Sequence, residues 1–227
     1  LEGVDRCGKT TQCSLLLKHL LGLGLSTIAM RFPDRTTSVG TLIDGYLKSS
    51  STLDDRAVHL LFSANRWEAV PTIRQTLEQG SHIICDRYAH SGVAFSSAKT
   101  PTDPLSVEWC KGPDRGLPAP DAVIFLDLSQ DEAQKRGGYG GERYEKRDLQ
   151  LRVRQRFEEL KNEDEQGQRV SWHMIDAAQP VEGVTKDIIK VVESTIKQVD
   201  SGKPLHKLWM DGTFVLPAME NEEKKEG

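Results

Sequence analysis

The residues best placed to do chemistry stand at the start of the chain, in Gly3-Val4-Asp5-Arg6-Cys7-Gly8-Lys9-Thr10. They satisfy G-x-x-x-x-G-K-[ST], the spacing of a phosphate-binding loop. A glycine at each end lets the backbone curl through torsions that a Cβ forbids, and the amides then face inward as a nest for oxygens. Lys9 can reach β- and γ-phosphates, and the Thr10 hydroxyl is the expected Mg²⁺ ligand. A helix opening at Lys9, with Thr11 in its first turn, adds its N-terminal dipole to the anion site. Arg6 is either a cation aimed at a transferring phosphoryl group or a solvated arginine on a turn, and Asp5 either a functional carboxylate or a turn cap. Cys7, between Arg6 and Lys9 at a helix N-terminus, reads as an activated thiolate or as a small residue packed under the loop. A second carboxylate–cation pair, Asp86-Arg87, ends the apolar run His82-Ile83-Ile84-Cys85, where parallel sheets place a metal-binding or catalytic carboxylate.

A phosphate loop follows a buried strand, yet only Leu1 and Glu2 precede Gly3, so the first strand is inferred and expected to be completed by upstream residues. A helix over Lys9–Leu23 presents Leu16, Leu17, Leu20 and Leu21, and Gly22 and Gly24 end it. Ser26–Phe32 reads as a strand stopped by Pro33. Val39, Leu42, Ile43, Tyr46 and Leu47 fall at i, i+3, i+4, i+7 and i+8 of an amphipathic helix. A long helical stretch from Leu53 to Gln79 is expected to kink or break at Pro71. After the strand ending in Asp86, a helix is expected around Ser91–Phe95, one or two turns over Leu105–Lys111, and Gly- and Pro-rich loop over Gly112–Asp121. Ala122–Leu128 and Val170–Asp176 read as strands; Asp131–Arg136, Asp148–Glu165 and the Val181–Ile196 stretch read as helices. Strands alternate with helices without hairpin turns. The expected fold is therefore α/β, a parallel sheet of about five strands with helices on both faces. Ligands bind beyond the strand C-terminal ends in such sheets, where the loop, Phe32–Arg35, Asp86-Arg87 and Asp176 all fall.

The 227 residues suit one domain of generous size, and a net charge of −4 without a long basic run argues against nucleic acid as a partner. No run approaches 18 apolar residues, so no membrane span is expected. Cys7, Cys13, Cys85 and Cys110 form no C-x-x-C pair and lack clustered histidines, which disfavours zinc and disulfides and fits a cytosolic or nuclear setting. The domain is expected over 1–209. Residues 210–227 form an extension whose end, Glu220–Gly227, is almost wholly charged and expected to be disordered.

G-V-D-R-C-G-K-T, R-F-P-D-R, L-L-F-S-A-N-R-W-E, D-R-Y-A-H-S-G-V-A-F and G-G-E-R-Y-E, in this order, resemble the thymidylate kinase family in its eukaryotic branch, from Leu1 to about Trp209, with a fungal-type extension beyond. The resemblance implies a P-loop NTPase-type fold with a lid over about 134–147, and Mg²⁺-dependent transfer of the ATP γ-phosphoryl group to dTMP. It also implies a homodimer formed by helix packing. ATP would meet Asp5, Arg6, Cys7, Gly8, Lys9, Thr10, Thr11 and Arg136; Thr10 and Asp86 would hold the metal. Arg6, Lys9, Asp86 and Arg87 would carry the catalytic roles, Asp86 by positioning, since an ionised phosphate acceptor has no proton to lose. For dTMP, Phe62 resembles the ring that stacks on the base and Arg66 the donor to thymine O4. Phe32, Ser91 and Gly92 resemble the rest of the base site, Phe95 the ring crowding C2′, Tyr144 a neighbour of the sugar and Asp5 the partner of the 3′-hydroxyl. Arg35 and Arg87 would hold the 5′-phosphate. Arg136 and Arg143 would close over ATP from the lid, hinged at Gly137-Gly138-Tyr139-Gly140-Gly141. Plainer readings stand beside these: core for Phe62, a solvated helix face for Arg66, a surface loop for the lid. A nucleoside kinase would need a base and no phosphate arginines. A regulatory GTPase would need N-K-x-D, which is missing, and an inactive scaffold would not need Arg6, Lys9, Thr10 and Asp86 together.

Overall fold

The computed structural model describes residues 1–99, 104–136, 141–167 and 170–214. Four strands, β1 (Thr27–Arg31), β2 (His82–Asp86), β3 (Ala122–Asp127) and β4 (Ser171–Asp176), form two parallel pairs, β1 with β2 and β3 with β4. Arg31 is level with Asp86 in the first pair and Asp127 with Asp176 in the second. Leu1 and Glu2 lie between the pairs and stitch them together. The Leu1 amino group donates to the Cys85 carbonyl (2.7 Å), and the Arg87 amide donates to the Leu1 carbonyl (3.0 Å). On the other side Glu2 bridges in parallel to Phe125, its amide on the Ile124 carbonyl (2.8 Å) and its carbonyl taking the Leu126 amide (2.9 Å). The spatial order is β1, β2, Leu1-Glu2, β3, β4, so the expected five strand positions are filled by four strands and this short segment.

The helices are α1 (Lys9–Gly22), α2 (Ser38–Leu47), α3 (Asp55–Trp67), α4 (Val70–Glu78), α5 (Ala89–Ser97), α6 (Val107–Lys111), α7 (Gln130–Lys135), α8 (Arg147–Gln166) and α9 (Val181–Asp200). Local chemistry sets their starts. Thr37 caps α2 through the Gly40 amide, Asp54 caps α3 through the amides of Arg56 and Ala57, and Ser106 and Ser129 cap α6 and α7. The helical stretch expected from Leu53 to Gln79 does break, but at Glu68–Ala69 rather than at Pro71. Proline fits the first turn of α4, where its missing N–H is not needed. The loop expected over Gly112–Asp121 opens with a 3₁₀ turn at Gly112–Asp114.

Two apolar layers sandwich the sheet. Leu16, Leu20, Ile84, Leu126, Ile175 and Ile188 pack beneath α1 and α9, whereas Phe125, Val153, Phe157 and Leu160 join α5 and α8 on the other side. Leu21, expected on the apolar side of α1, is 52 % exposed, and Cys13 takes the buried place. After α9 the chain returns to the domain with Leu208 and Trp209 buried. Residues 215–227, which include the end expected to be disordered, positions 137–140 of the expected hinge, and positions 100–103 and 168–169 lie outside the described residues.

Candidate active site

The strand C-terminal ends open into a cavity of about 910 Å³, lined at one end by the phosphate loop and at the other by Phe32, Phe62, Arg66 and Phe95. The loop is built as its glycines require. Gly3 has φ +141° and no room for a Cβ, which would lie 2.7 Å from the Leu126 carbonyl oxygen and 2.8 Å from Cys7 Sγ. Gly8 has φ +100° and is the residue from which α1 starts. Arg6 and Arg87 are non-glycine residues in the left-handed region (φ 65° and 68°), a backbone cost that clusters at functional sites.

On the donor side, Lys9 curls back over the loop, donating to the carbonyls of Val4 (2.7 Å) and Gly3 (3.2 Å). Thr10 Oγ1 donates to Asp86 Oδ2 (2.6 Å), bringing together the two side chains expected at a metal. Burial pushes the Asp86 carboxyl up, but the Thr10 hydroxyl and the charges of Lys9, Arg87 and Arg31 outweigh it and hold it below its ordinary value. Arg31, which the sequence reading passed over, contacts Asp86 (3.0 Å) and the Thr10 hydroxyl. A guanidinium seated on both groups shows that the pair attracts a cation, so a hydroxyl and an anionic carboxylate fit Mg²⁺. Arg136 ends α7, donates to the Ala177 carbonyl and lies beside Gly8, with its Nη1 3.5 Å from where a Gly8 Cβ would be. Ala177, Gln179, Pro180 and Val181 complete that wall.

Cys7 is 2 % exposed, with Lys9 Nζ 3.4 Å from its sulfur and Gly3 against it. The structure favours the packed residue over the activated thiol. Its sulfur fills the space under the loop that a glycine at position 3 leaves open.

On the acceptor side, Arg66 is 2 % exposed and far from a solvated helix face. Its Nε and Nη2 donate to the two oxygens of Asp114 (3.0 and 2.6 Å). Phe62, four residues earlier, is half-buried; it packs on the core and lines the cavity as well, so the two readings of this ring are compatible. Phe95 and Tyr144 face each other at 5.6 Å, and Arg87 lies over Phe95 at 5.0 Å. Arg87 donates to the Gly3 carbonyl (3.0 Å) and Ser91 Oγ (3.1 Å) and pairs with Asp5. Asp5 is thus committed on both oxygens, to Arg87 and to Gln150 Nε2 (2.6 Å), leaving lone pairs for a further donor. Ser91 donates to Glu2, whose other oxygen takes the amides of Tyr88 (2.9 Å) and Ser91 (3.2 Å) and so caps α5. Neither Glu2 nor Gln150 was legible as a site residue.

The lid residues corrected one expectation and refined another. Arg143 does not line the cavity. It donates to the carbonyls of Tyr46 (2.9 Å) and Ser51 (2.8 Å) and lies over the Tyr46 ring at 4.3 Å, because the C-terminal end of α2 offers carbonyls and a ring face to a cation. Its neighbours do reach in. Glu142 takes a bidentate pair from Arg35 (2.8 and 3.1 Å), and Glu145 takes Arg6 Nε (2.9 Å). Arg35 also meets Asp44 (2.8 Å), and its hydrogen bond to Glu142 raises its pKa further.

The phosphate loop, its helix and the parallel sheet define a P-loop nucleotide-binding protein. A family model described as thymidylate kinase matches residues 1–188. The chain is 51 % identical to the thymidylate kinase of Danio rerio and 46 % identical to that of Homo sapiens, in each case over 92 % of this chain and 95 % of the relative. The solved thymidylate kinase of Candida albicans superposes with a TM-score of 0.74 at 39 % identity, covering 86 % of this chain and 90 % of that one. The chain belongs to the thymidylate kinase family.

Proposed function

We propose that this site carries the family's reaction as follows. The chain is an enzyme that phosphorylates dTMP to dTDP with ATP, and the observation that carries the reading is one cavity joining a phosphate loop to an aromatic, arginine-lined pocket. ATP phosphates take the nest formed by Gly3–Thr10, with adenine between Arg136 and Ala177–Val181. The thymine ring lies on Phe62 with Arg66 at its edge, and the sugar lies near Asp5, Phe95 and Tyr144. Arg35 and Arg87 hold the acceptor phosphate; to do so they give up part of their pairing with Glu142 and Asp5. Thr10 and Asp86 would hold Mg²⁺, which would supply positive charge against the phosphates during transfer. Lys9 and Arg6 turn from the Val4 carbonyl and from Glu145 towards the transferring group. Asp86 holds the Thr10 hydroxyl, would position the metal with it, and removes no proton.

The described face of α3 supports a homodimer. Ala57, Leu60, Ala64 and Trp67 form an exposed stripe at i, i+3, i+7 and i+10, and the exposed Trp109 of α6 meets the same helix at His59. A charge on it, Leu60→Glu, is expected to yield monomer by sedimentation. The activity is tested by Mg²⁺-dependent ADP release with dTMP, dUMP, dCMP and thymidine. Turnover of thymidine as fast as of dTMP would displace Arg35 and Arg87 from the acceptor phosphate.

A further inference from the structure

We propose that Asp114 is a specificity-determining positioning residue: it turns Arg66 so that its free edge reads the 4-position of the pyrimidine. The inference rests on the reading of Arg66 as the base-facing cation and goes beyond it to what holds that cation. A guanidinium has five N–H donors in a fixed plane, and an unrestrained one would satisfy an amino-bearing pyrimidine through a rotated side chain or a water. Here rotation is blocked from two sides. Asp114 is fully buried and takes Nε and Nη2 of Arg66 side-on, leaving the Nη1 edge. From α5, Gly92 lies against the same guanidinium: a Cβ there would lie 2.6 Å from Nη2, 2.9 Å from Nη1 and 3.0 Å from Cζ. Only hydrogen fits.

The support for Asp114 is itself anchored to the helix that carries Arg66. Pro113, in the same 3₁₀ turn, accepts from Ser63 Oγ (3.0 Å) and Trp67 Nε1 (2.7 Å), and His59 Nε2 lies 2.9 Å from the Cys110 carbonyl just before it. Reader, counter-ion and turn thus move as one body. A carbonyl at the 4-position accepts from Nη1. An amino group there brings donor against donor, and the held guanidinium has no alternative orientation to offer, so the mismatch is felt in full. A buried pair of this kind stabilises little by itself, which makes specificity its physical benefit.

The test uses the full chain and compares kcat/KM for dTMP and dCMP, with the ATP KM measured alongside. Asp114→Asn is expected to raise the dTMP KM about tenfold or more, leave the ATP KM within twofold, and cut the dTMP-to-dCMP ratio about tenfold. Asp114→Glu should recover part of the ratio. Gly92→Ala, which retains both charged partners but displaces the guanidinium, should move KM and ratio the same way, and by less in an Asp114→Asn background, because a freed guanidinium can give way. A folded Asp114→Asn variant with an unchanged ratio overturns the proposal; if that variant does not fold, an unchanged ratio in Gly92→Ala does so. Arg66→Lys separates the premises. An unchanged ratio there removes Arg66 from the base, whereas a collapsed ratio there beside an unchanged one in Asp114→Asn removes only Asp114.

Discussion

Gln150 is the residue on which the acceptor side of the loop leans, and replacing it has a calculable effect. It is wholly buried on α8 and makes three hydrogen bonds. The Asp5 amide donates to Oε1 (2.9 Å), and Nε2 donates to Asp5 Oδ2 (2.6 Å) and to the Tyr144 carbonyl (2.9 Å). Two are neutral, worth about 1 kcal/mol each, and the one to a carboxylate is worth about 1.5–3 kcal/mol, so Gln150→Ala should cost about 3–5 kcal/mol. At about 2–4 °C per kcal/mol for a domain of this size, Tm falls by about 6–20 °C. Asp5 is also expected to lose its aim at the acceptor sugar, so the dTMP KM should rise more than that of a 3′-deoxy acceptor. Gln150→Glu keeps the shape but sets a second carboxylate against Asp5. Its Tm deficit should shrink as pH is lowered towards 5, because two close carboxylates take up a proton more readily than one. Circular-dichroism melts and coupled ADP-release rates read all of this. A folded Gln150→Ala variant with Tm within about 2 °C of the parent and an unchanged dTMP KM would refute the reasoning.

Lys9→Ala and Arg6→Ala are each expected to collapse turnover while calorimetry shows dTMP binding nearly intact; an arginine used this way is worth about 10³–10⁵ in rate. Phe62→Ala should raise the dTMP KM about ten- to a hundredfold, from about 1–3 kcal/mol of lost stacking, with the ATP KM steady in the same assay. Asp164 is buried, which opposes its charge, yet donors from His90 (3.0 Å), Trp172 (2.9 Å) and Trp209 (3.1 Å) outweigh this and hold its pKa below the ordinary value. A depressed carboxyl pKa gives stability that is full above the unfolded value near 4 and is lost as pH falls through the lower folded value. Urea melts of Asp164→Asn should therefore show lower stability at pH 7 and a shallower decline below about pH 4.

The fold was legible because its signals are local. The loop spacing, the apolar run ending in Asp86 and the periodicity of α2 and α9 each lie within a few residues. The same holds for the spacing of Lys9, Thr10 and Asp86, which line one cavity. What escaped notice depends on partners far away in the chain. Gln150 meets Asp5 across 145 residues, Glu2 caps α5 across 89, and Asp114 reaches Arg66 across 48. Val153, Phe157 and Leu160 put Gln150 on the buried face of α8, but nothing near it in the chain says that its partner there is Asp5. The partners of Arg143 were hidden for a related reason: the carbonyls that hold it belong to α2 and the turn after it, more than 90 residues earlier. For Cys7 the sequence left an activated thiol and a packed residue both open, and the hole that Gly3 leaves decides for packing.

The pairing of Glu142 with Arg35 and of Glu145 with Arg6 bears on how the enzyme lives among the anions of its surroundings. A bare cluster of arginines would be a general sink for phosphate and sulfate. Here each of these arginines already has a carboxylate partner, and a newcomer must repay that contact before it gains anything. A small inorganic anion has only its charge to offer. In the function proposed above, a nucleotide adds stacking on Phe62 and contacts to the loop, and so can displace the glutamates where a simple ion does not. The resting enzyme thus carries its own competitive salt, tethered at fixed concentration. Inorganic phosphate should be a poor inhibitor of dTMP turnover, and a markedly stronger one once Glu142→Gln removes that internal competitor.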